Sequence, residues 1–487
     1  MLFNSYEFIL LFLPVSVAVF YGLGSTGRPR AACLWLVIAS LFFYGWWKPA
    51  YLLLLVFSIG FNYGVGLALG RMGGPATRRR VVLALGIAVN LGLLGYFKYA
   101  NFFVANWNEL VGSHWSLAAI VLPLAISFFT FNQIAYLVDA YRGIAREYDL
   151  VSYSLFISFF PHLIAGPIVH HKEMIPQFQE RDGRFNAEDL AVGLTIFCIG
   201  LTKKVLLADG IAPYANQAFD IAAHGGSLHF ADAWMGALAY TLQLYFDFSG
   251  YSDMAIGAAR LFGIRFPNNF DSPYKATNII DFWRRWHITL SNFLRDYLYI
   301  PLGGNRKGPL RRYVNLLATM LLGGLWHGAG WTFVIWGGLH GFYLVINHAW
   351  RTFRKALGHD LGRVSPLGTL AGRLATFLAV VVAWVFFRSE NLPAALKMLA
   401  LMAGTEGISL PNYLPTQLIA LLLLCWFAPN TQQWIAAYRP VLEAVSSPAR
   451  WQWRPTVGFG LLVGVLLFVW LKISFEAAPS QFLYFNF

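Results

Sequence analysis

The sequence predicts an all-α polytopic membrane protein, and three observations carry that prediction. Of its 487 residues, 57% are hydrophobic and only 12% charged, against about 25% charged in an average soluble domain. Apolar stretches near the ~20 residues needed to cross a bilayer recur along the whole chain. These runs are continuous and do not alternate with period two, which argues against a porin-like barrel.

The first stretch, MLFNSYEFILLFLPVSVAVFYGLGS, lacks a basic leading region and a clear small-x-small cleavage site. It reads as a retained membrane helix near 8–23. Further segments are expected near 31–47, 49–69, 81–99, 117–138, 151–169, 190–208, 231–246, 313–347, 370–387, 414–428 and 456–475. The 313–347 stretch is long enough for two, split around Gly323–Gly324. Several segments are short or broken by Gly and Pro, so re-entrant segments belong to the expectation. No repeat or low-complexity linker interrupts them, and residues 1–487 read as a single membrane domain.

The formal charge of +13 reads as Lys and Arg concentrated in cytoplasmic loops. No basic soluble domain is present to bind nucleic acid. RPR (28–30), RMGGPATRRR (71–80), YRGIAREYD (141–149) and Arg439, Arg450 and Arg454 all fall on that side. Both termini are then extracytoplasmic, and the aromatic tail SQFLYFNF (480–487) faces outward. Cys33, Cys198 and Cys425 sit in apolar runs without paired spacing, so neither disulfides nor a metal site is expected. HExxH and GxSxG are absent, which removes metalloprotease and α/β-hydrolase readings.

NIIDFWRRWHITLSNFLRDYLYI (278–300) has helical character but carries too much charge to face lipid, at ~2.5–3.5 kcal/mol per charge at the bilayer centre. At 100° per residue, Asp281, Arg284, Arg285, Asn292, Arg295 and Asp296 share an arc of about 120°. Asp281 is spaced to pair with Arg284 or Arg285, and His287 lies beside the arc. An interfacial amphipathic helix and a re-entrant helix lining a polar cavity both satisfy this pattern.

The next loop, YIPLGGNRKGPLRRY (299–313), clusters Arg306, Lys307, Arg311 and Arg312 around glycines. It suits either an ordinary positive-inside loop or a cradle for the phosphates of a donor such as coenzyme A. In LLGGLWHGAGWTFVIWGGLHG (321–341), His327 stands among Trp326, Trp331 and Trp336. It is either a hydrogen-bonded core residue or a general base. The glycines there allow close approach of backbone or ligand. His340 and His348 read as structural. In QLYFDFSGYSDMAIG (243–257), Asp247 and Asp253 either orient imidazoles, pair with nearby arginines or cap the following helix.

FWRRWHITLSNFLRDYLYIPLGGNRKG, followed by LLGGLWHGAGWTFVIWGGLHG, closely resembles the membrane-bound O-acyltransferase family, in its bacterial branch that acetylates alginate and similar polymers. MLFNSYEFILLFLP, GYFKYANF, FFPHLIAGPI, QLYFDFSGYSDMAIG and the terminal FLYFNF match that branch in order, over essentially the whole chain. The resemblance implies a ring of tilted transmembrane helices with re-entrant helices around a central tunnel. It makes 278–348 the catalytic-motif region, with His327 as catalytic histidine and His287 at the second motif position. Candidate donor contacts are Arg284, Arg285, Arg306, Lys307 and Trp326, supported by Asp247, Asp253, Asp281, Arg295 and Asp296.

By the same resemblance the enzyme sits in the bacterial inner membrane among lipids and binds no permanent cofactor. Acetyl-CoA is the expected donor substrate, and an envelope or secreted polysaccharide the acceptor. A periplasmic serine esterase-like partner completes the transfer. Tyr484 becomes a candidate acyl carrier, because a phenol of pKa ≈ 10 is not far above a thiol at ≈ 8.5. A docking tail without covalent chemistry competes with that reading. From other classes, a flippase for an acylated carrier or a non-catalytic scaffold also accommodates intramembrane polar residues.

Overall fold

The computed structural model describes residues 1–487 except 74, 119, 146–148, 181–182, 363–364, 409–414, 477–479 and 484–487, with backbone alone for 474–476. Tyr484 therefore lies outside the described residues. Every regular element among those described is helical.

In chain order, α1 (Leu13–Ser25), α2 (Pro29–Gly45), α3 (Ala50–Arg71), α4 (Ala76–Leu94), α5 (Ala100–Val111) and α6 (Ile126–Tyr141) form the first third. Then come α7 (Leu150–Ser158), α8 (Phe160–Leu163), α9 (His171–Glu180), α10 (Ala187–Thr202), α11 (Asp209–His224) and α12 (Phe230–Leu261). The short α13 (Ile279–Trp283) and α14 (Ile288–Leu294) precede α15 (Gly308–His327), α16 (Trp331–Ala356) and α17 (Pro366–Arg388). Last are α18 (Leu392–Met402), α19 (Thr416–Phe427), α20 (Thr431–Trp434) and α21 (Val457–Glu476).

Local chemistry explains many of the starts. The side chains of Asp149, Asn186, Asn278 and Asn391 accept backbone N–H groups at the first turns of α7, α10, α13 and α18. Five described stretches are long and apolar enough to cross a membrane: Glu7–Ser25, Ala50–Arg71, Ala76–Val111, Ala187–His224 and Pro366–Arg388. Large apolar side chains such as Leu53, Leu85, Leu461 and Phe468 are exposed. A helical protein with this surface needs lipid against it.

Among the described residues, four π-turns interrupt the helices, at Glu7–Phe12, Gly95–Tyr99, Lys203–Ala208 and Arg295–Tyr299. Such turns insert an extra residue and concentrate at functional sites. The last three hold Lys98, the Lys203–Lys204 pair and Tyr297, all of which make polar contacts inside the protein.

Buried apolar side chains gather in two clusters, one containing Phe8, Phe43, Phe160 and Trp326, the other Tyr240, Tyr274, Trp336 and Phe387. His287 and His327 each face rings from both clusters.

Several boundaries differ from the sequence expectation. The 278–300 segment is not one helix: His287 adopts φ +43° and separates α13 from α14, so the charged residues share no common arc. The 313–347 stretch divides at Gly328–Gly330, with Gly323 and Gly324 inside α15. The run expected at 231–246 extends as α12 to Leu261, 32 residues in all, or about 48 Å at 1.5 Å per residue. Residues 120–125 form no regular helix, and α6 begins only at Ile126.

Candidate active site

His327 is the last residue of α15, whose final carbonyls lack partners within the helix. The Gly95–Tyr99 π-turn supplies them. Tyr99 Oη donates to Leu325 O at 2.8 Å, while Lys98 Nζ donates to Trp326 O at 2.6 Å and His327 O at 3.1 Å. A half-buried lysine at the negative end of a helix is also favoured by the dipole. On the other side α16 packs directly on α15. A Cβ added to Gly324 would lie 2.3 Å from Phe333 O, and one on Gly337 2.3 Å from Met320 O. These two glycines serve backbone contact between helices, not ligand approach.

The imidazole of His327 sits in an aromatic cage. Ring centroids lie 4.9 Å from Trp326, 5.0 Å from Trp336 and 5.4 Å from Phe387. Trp326 belongs to the first apolar cluster, and Trp336 and Phe387 to the second.

His287 approaches the same indole from the other motif. It is wholly buried, edge-on to Phe248 at 4.8 Å and 6.5 Å from the Trp326 ring. Its left-handed backbone is costly for a non-glycine residue, roughly 1–3 kcal/mol, and such strain clusters at functional sites.

Asn269 fixes the imidazole of His287. Thr289 Oγ1 accepts the Ile168 N–H at 3.0 Å and donates its own proton to Asn269 Oδ1 at 2.9 Å. The Thr289 N–H points to the same oxygen at 3.4 Å. Asn269 Oδ1 is thus an acceptor, and His287 Nδ1, 3.1 Å away, donates to it. In the neutral ring this leaves the lone pair on Nε2.

Two cavities lie nearby, one lined by Trp326 and the other by Phe293. One of about 260 Å³ is lined by Trp47, Lys98, Ser127, Phe128 and Trp326 among others. A second of about 180 Å³ is lined by His170, Glu173, Thr289, Phe293 and Tyr297 among others. Between them runs an aromatic stack: Trp326 on Phe131 at 5.0 Å, and Phe131 on Phe293 at 4.2 Å.

The charged candidates divide. Arg285 Nε donates to Asp281 Oδ1 at 2.9 Å, so of the two partners expected for Asp281 the second is observed. Arg295 pairs with its neighbour Asp296 at 2.7 Å. Arg284, Arg306 and Lys307 are exposed. Asp247 and Asp253 lie inside α12 and neither cap a helix start nor meet arginines or imidazoles. Their partners are the π-turn lysines, with Lys204 Nζ 2.7 Å from Asp247 and Lys203 Nζ 2.6 Å from Asp253. His340 accepts from Trp283 Nε1 at 3.3 Å inside the second cluster, in keeping with a structural role.

The same lysine holds the chain end. Lys204 Nζ donates to Gln481 O at 3.0 Å, and the Leu483 N–H donates to Asp247 Oδ2 at 3.1 Å. Phe482 is buried edge-on to Tyr251 with Lys204 4.9 Å from its ring. Phe482 packs in the first cluster and Leu483 against the second. The tail therefore touches both clusters.

Sequence reasoning missed Lys98, Asn269 and Lys204 as site residues. For the lysines the signal was present, since a cation within an apolar run marks a functional or paired position.

Repeated apolar helices around a buried histidine pair define a multi-pass integral membrane protein with a candidate acid–base centre in its interior. Residues 83–385 match the model of MBOAT, the membrane-bound O-acyltransferase family. The chain is 48% identical over 437 residues to the peptidoglycan O-acetyltransferase of Helicobacter pylori, covering 84% of this chain and 81% of that protein. It is 44% identical over 443 residues to the probable alginate O-acetylase of Pseudomonas aeruginosa, covering 88% and 81%. A teichoic acid D-alanyltransferase of Streptococcus thermophilus is 30% identical over 287 residues, 54% of this chain and 68% of its own. The chain belongs to the membrane-bound O-acyltransferase family and is an O-acyltransferase.

Proposed function

We propose that this enzyme moves acetyl from cytoplasmic acetyl-CoA across the bacterial inner membrane for O-acetylation of an envelope polymer, alginate, peptidoglycan or a similar glycan. The observation that carries the reading is the burial of His287 and His327 against one indole, Trp326. The relatives named as O-acetyltransferases, which span more than four-fifths of this chain, supply the acyl group and acceptor class.

His327 acts as general base. It takes the phenolic proton of Tyr484, the phenolate oxygen bonds to the thioester carbonyl carbon, and the carbon–sulfur bond breaks. The imidazolium returns the proton to the departing thiolate, giving free coenzyme A and acetyl-Tyr484. A periplasmic serine esterase-like partner then accepts the acetyl group, and the phenol regains a proton. Gln481 and Leu483 are anchored to the Lys204–Asp247 pair, and delivery of Tyr484 from there to His327 is part of the proposal. Arg284, Arg306 and Lys307, exposed on the charged loops, are proposed to meet the donor phosphates, with Arg285 beside them. The positive-inside rule applied to the basic loops supports a cytoplasmic position for these residues, with both termini outside.

Thiol release from acetyl-CoA by the purified protein tests the reading. Wild type should release coenzyme A and acquire acetyl-Tyr484 when acceptor is withheld, whereas His327→Ala should do neither while remaining folded. Near-normal thiol release by His327→Ala would overturn the mechanism. Release without acetyl-Tyr484, matched by Tyr484→Phe, would leave the tail as a dock.

A further inference from the structure

A second polar centre shares no residue with the histidine pair. Asp139, at the end of α6, is 2% exposed. Its Oδ2 lies 2.9 Å from His170 Nε2 and 3.1 Å from His171 Nε2. Tyr297 Oη, from the Arg295–Tyr299 π-turn, lies 2.7 Å from that oxygen and 2.8 Å from His170 Nε2. The candidate ligand atoms of Asp139, His170 and His171 all fall within 4.8 Å of one another. Two nitrogens and two oxygens from three separate stretches of chain thus converge on one point.

The geometry points to a site for a divalent transition metal of the zinc class, held by Asp139, His170 and His171 with Tyr297 closing the fourth position. Imidazole and carboxylate donors suit such an ion, at bond lengths of about 2.0–2.2 Å. Tetrahedral ligands at that radius stand on the order of 3.3 Å apart, so the donor pairs at 2.7–3.1 Å need separate by roughly 0.2–0.6 Å.

The surroundings agree. His171 is fully buried behind Asp139. His170 opens onto the cavity of about 180 Å³, whose walls add Glu173, Asp296 and Glu443. Carboxylates at such a mouth attract cations. The opposing charges are Lys172, beside the two histidines, Arg295, which Asp296 pairs, and Arg142. Arg142 Nη1 stands 3.5 Å from Asp139 Oδ1, the oxygen turned away from the histidines, where it can orient a ligating carboxylate from outside.

Coordination through Nε2 requires each neutral ring to carry its proton on Nδ1. At His170 that releases the Lys172 N–H, now 3.2 Å from Nδ1. Each neutral ring only moves its proton from Nε2 to Nδ1, while Tyr297, as a phenolate ligand, releases its proton to solvent when the ion binds. A bound ion would tie α6, the His170–His171 turn and the π-turn into one unit. Tyr297 stacks on Phe293 at 5.0 Å, so the unit would brace the aromatic stack that ends at Trp326.

The test uses the full-length protein in detergent, stripped with chelator and titrated with Co²⁺ and then Zn²⁺. Wild type should bind one Co²⁺ with the visible absorption of a four-coordinate ion, displaced by one Zn²⁺. Asp139→Asn and His170→Gln should each weaken binding at least tenfold, while His348→Gln should not. His170→Gln is the safer variant for folding because its ring is partly exposed. Substoichiometric binding by wild type, or equal binding by wild type and a folded His170→Gln, would reduce the cluster to a hydrogen-bond hub and overturn the proposal.

Discussion

Asn269 Oδ1 accepts from both His287 Nδ1, at 3.1 Å, and Thr289 Oγ1, at 2.9 Å, so one buried amide oxygen sets the proton position on a buried imidazole. Asn269→Leu should remove that control and lower kcat for acetyl transfer by about 10²-fold, the lower end of what a positioned acid–base group supplies. Asn269→Asp should retain the acceptor but favour the imidazolium. Its pH–rate profile should shift to higher pH, a change that a merely packing role would not produce.

Lys98 deserves its own variant because it caps the helix that presents His327. Lys98→Met keeps the length of the side chain and leaves two carbonyls without their donor. Charged hydrogen bonds of this kind contribute about 1.5–3 kcal/mol. A lower unfolding temperature and a clear loss of turnover are expected, larger on both counts than for Tyr99→Phe, which removes one neutral donor.

The Trp326–Phe131–Phe293 stack separates two cavities, which makes Phe131 a natural partition. Phe131→Ala should cost about 2–3 kcal/mol, less than the ~3–5 kcal/mol of a fully buried Phe. Its specific signature should be uncoupling, with thiol release from acetyl-CoA rising relative to acetyl delivered to acceptor. An unchanged ratio would deny the stack any role in partition.

Lys204 and Asp247 hold the chain end from opposite sides of one ion pair. Lys204→Met strands a buried carboxylate and should cost about 3–5 kcal/mol. Asp247→Asn is milder and more informative. It should make the C-terminal residues more accessible to carboxypeptidase and reduce acetyl transfer, with little change in the unfolding temperature.

Much of this was legible in the residues themselves. Continuous apolar runs announce membrane helices, and His327 and His287 stand in motifs long enough to specify a family. Other features depend on tertiary contact. His287 carries no local signal for a left-handed backbone, because the pattern around it remains helical and nothing but the Asn269 contact marks the break. Asp247 and Asp253 look like helix caps until α12 is seen to run through them, and their lysines lie some fifty residues earlier in another span. The division after His327 falls at Gly328–Gly330 and not at Gly323–Gly324, because Gly324 is consumed by contact with α16 and Gly323 faces Leu294 of α14.

The π-turn at Gly95–Tyr99 is also a matter of arithmetic. An α-helix holds about 3.6 residues per turn and this π-turn takes up one residue more, so deleting one residue would restore a regular helix and re-aim the side chains within the turn. Lys98 and Tyr99 would then point away from the carbonyls of Leu325, Trp326 and His327. A single-codon deletion in a span remote from the motif histidines would thus act as an active-site lesion, while any ordinary substitution tolerated at Gly95 or Tyr96 would not. The length of this helix, counted in whole residues, is part of what aims His327.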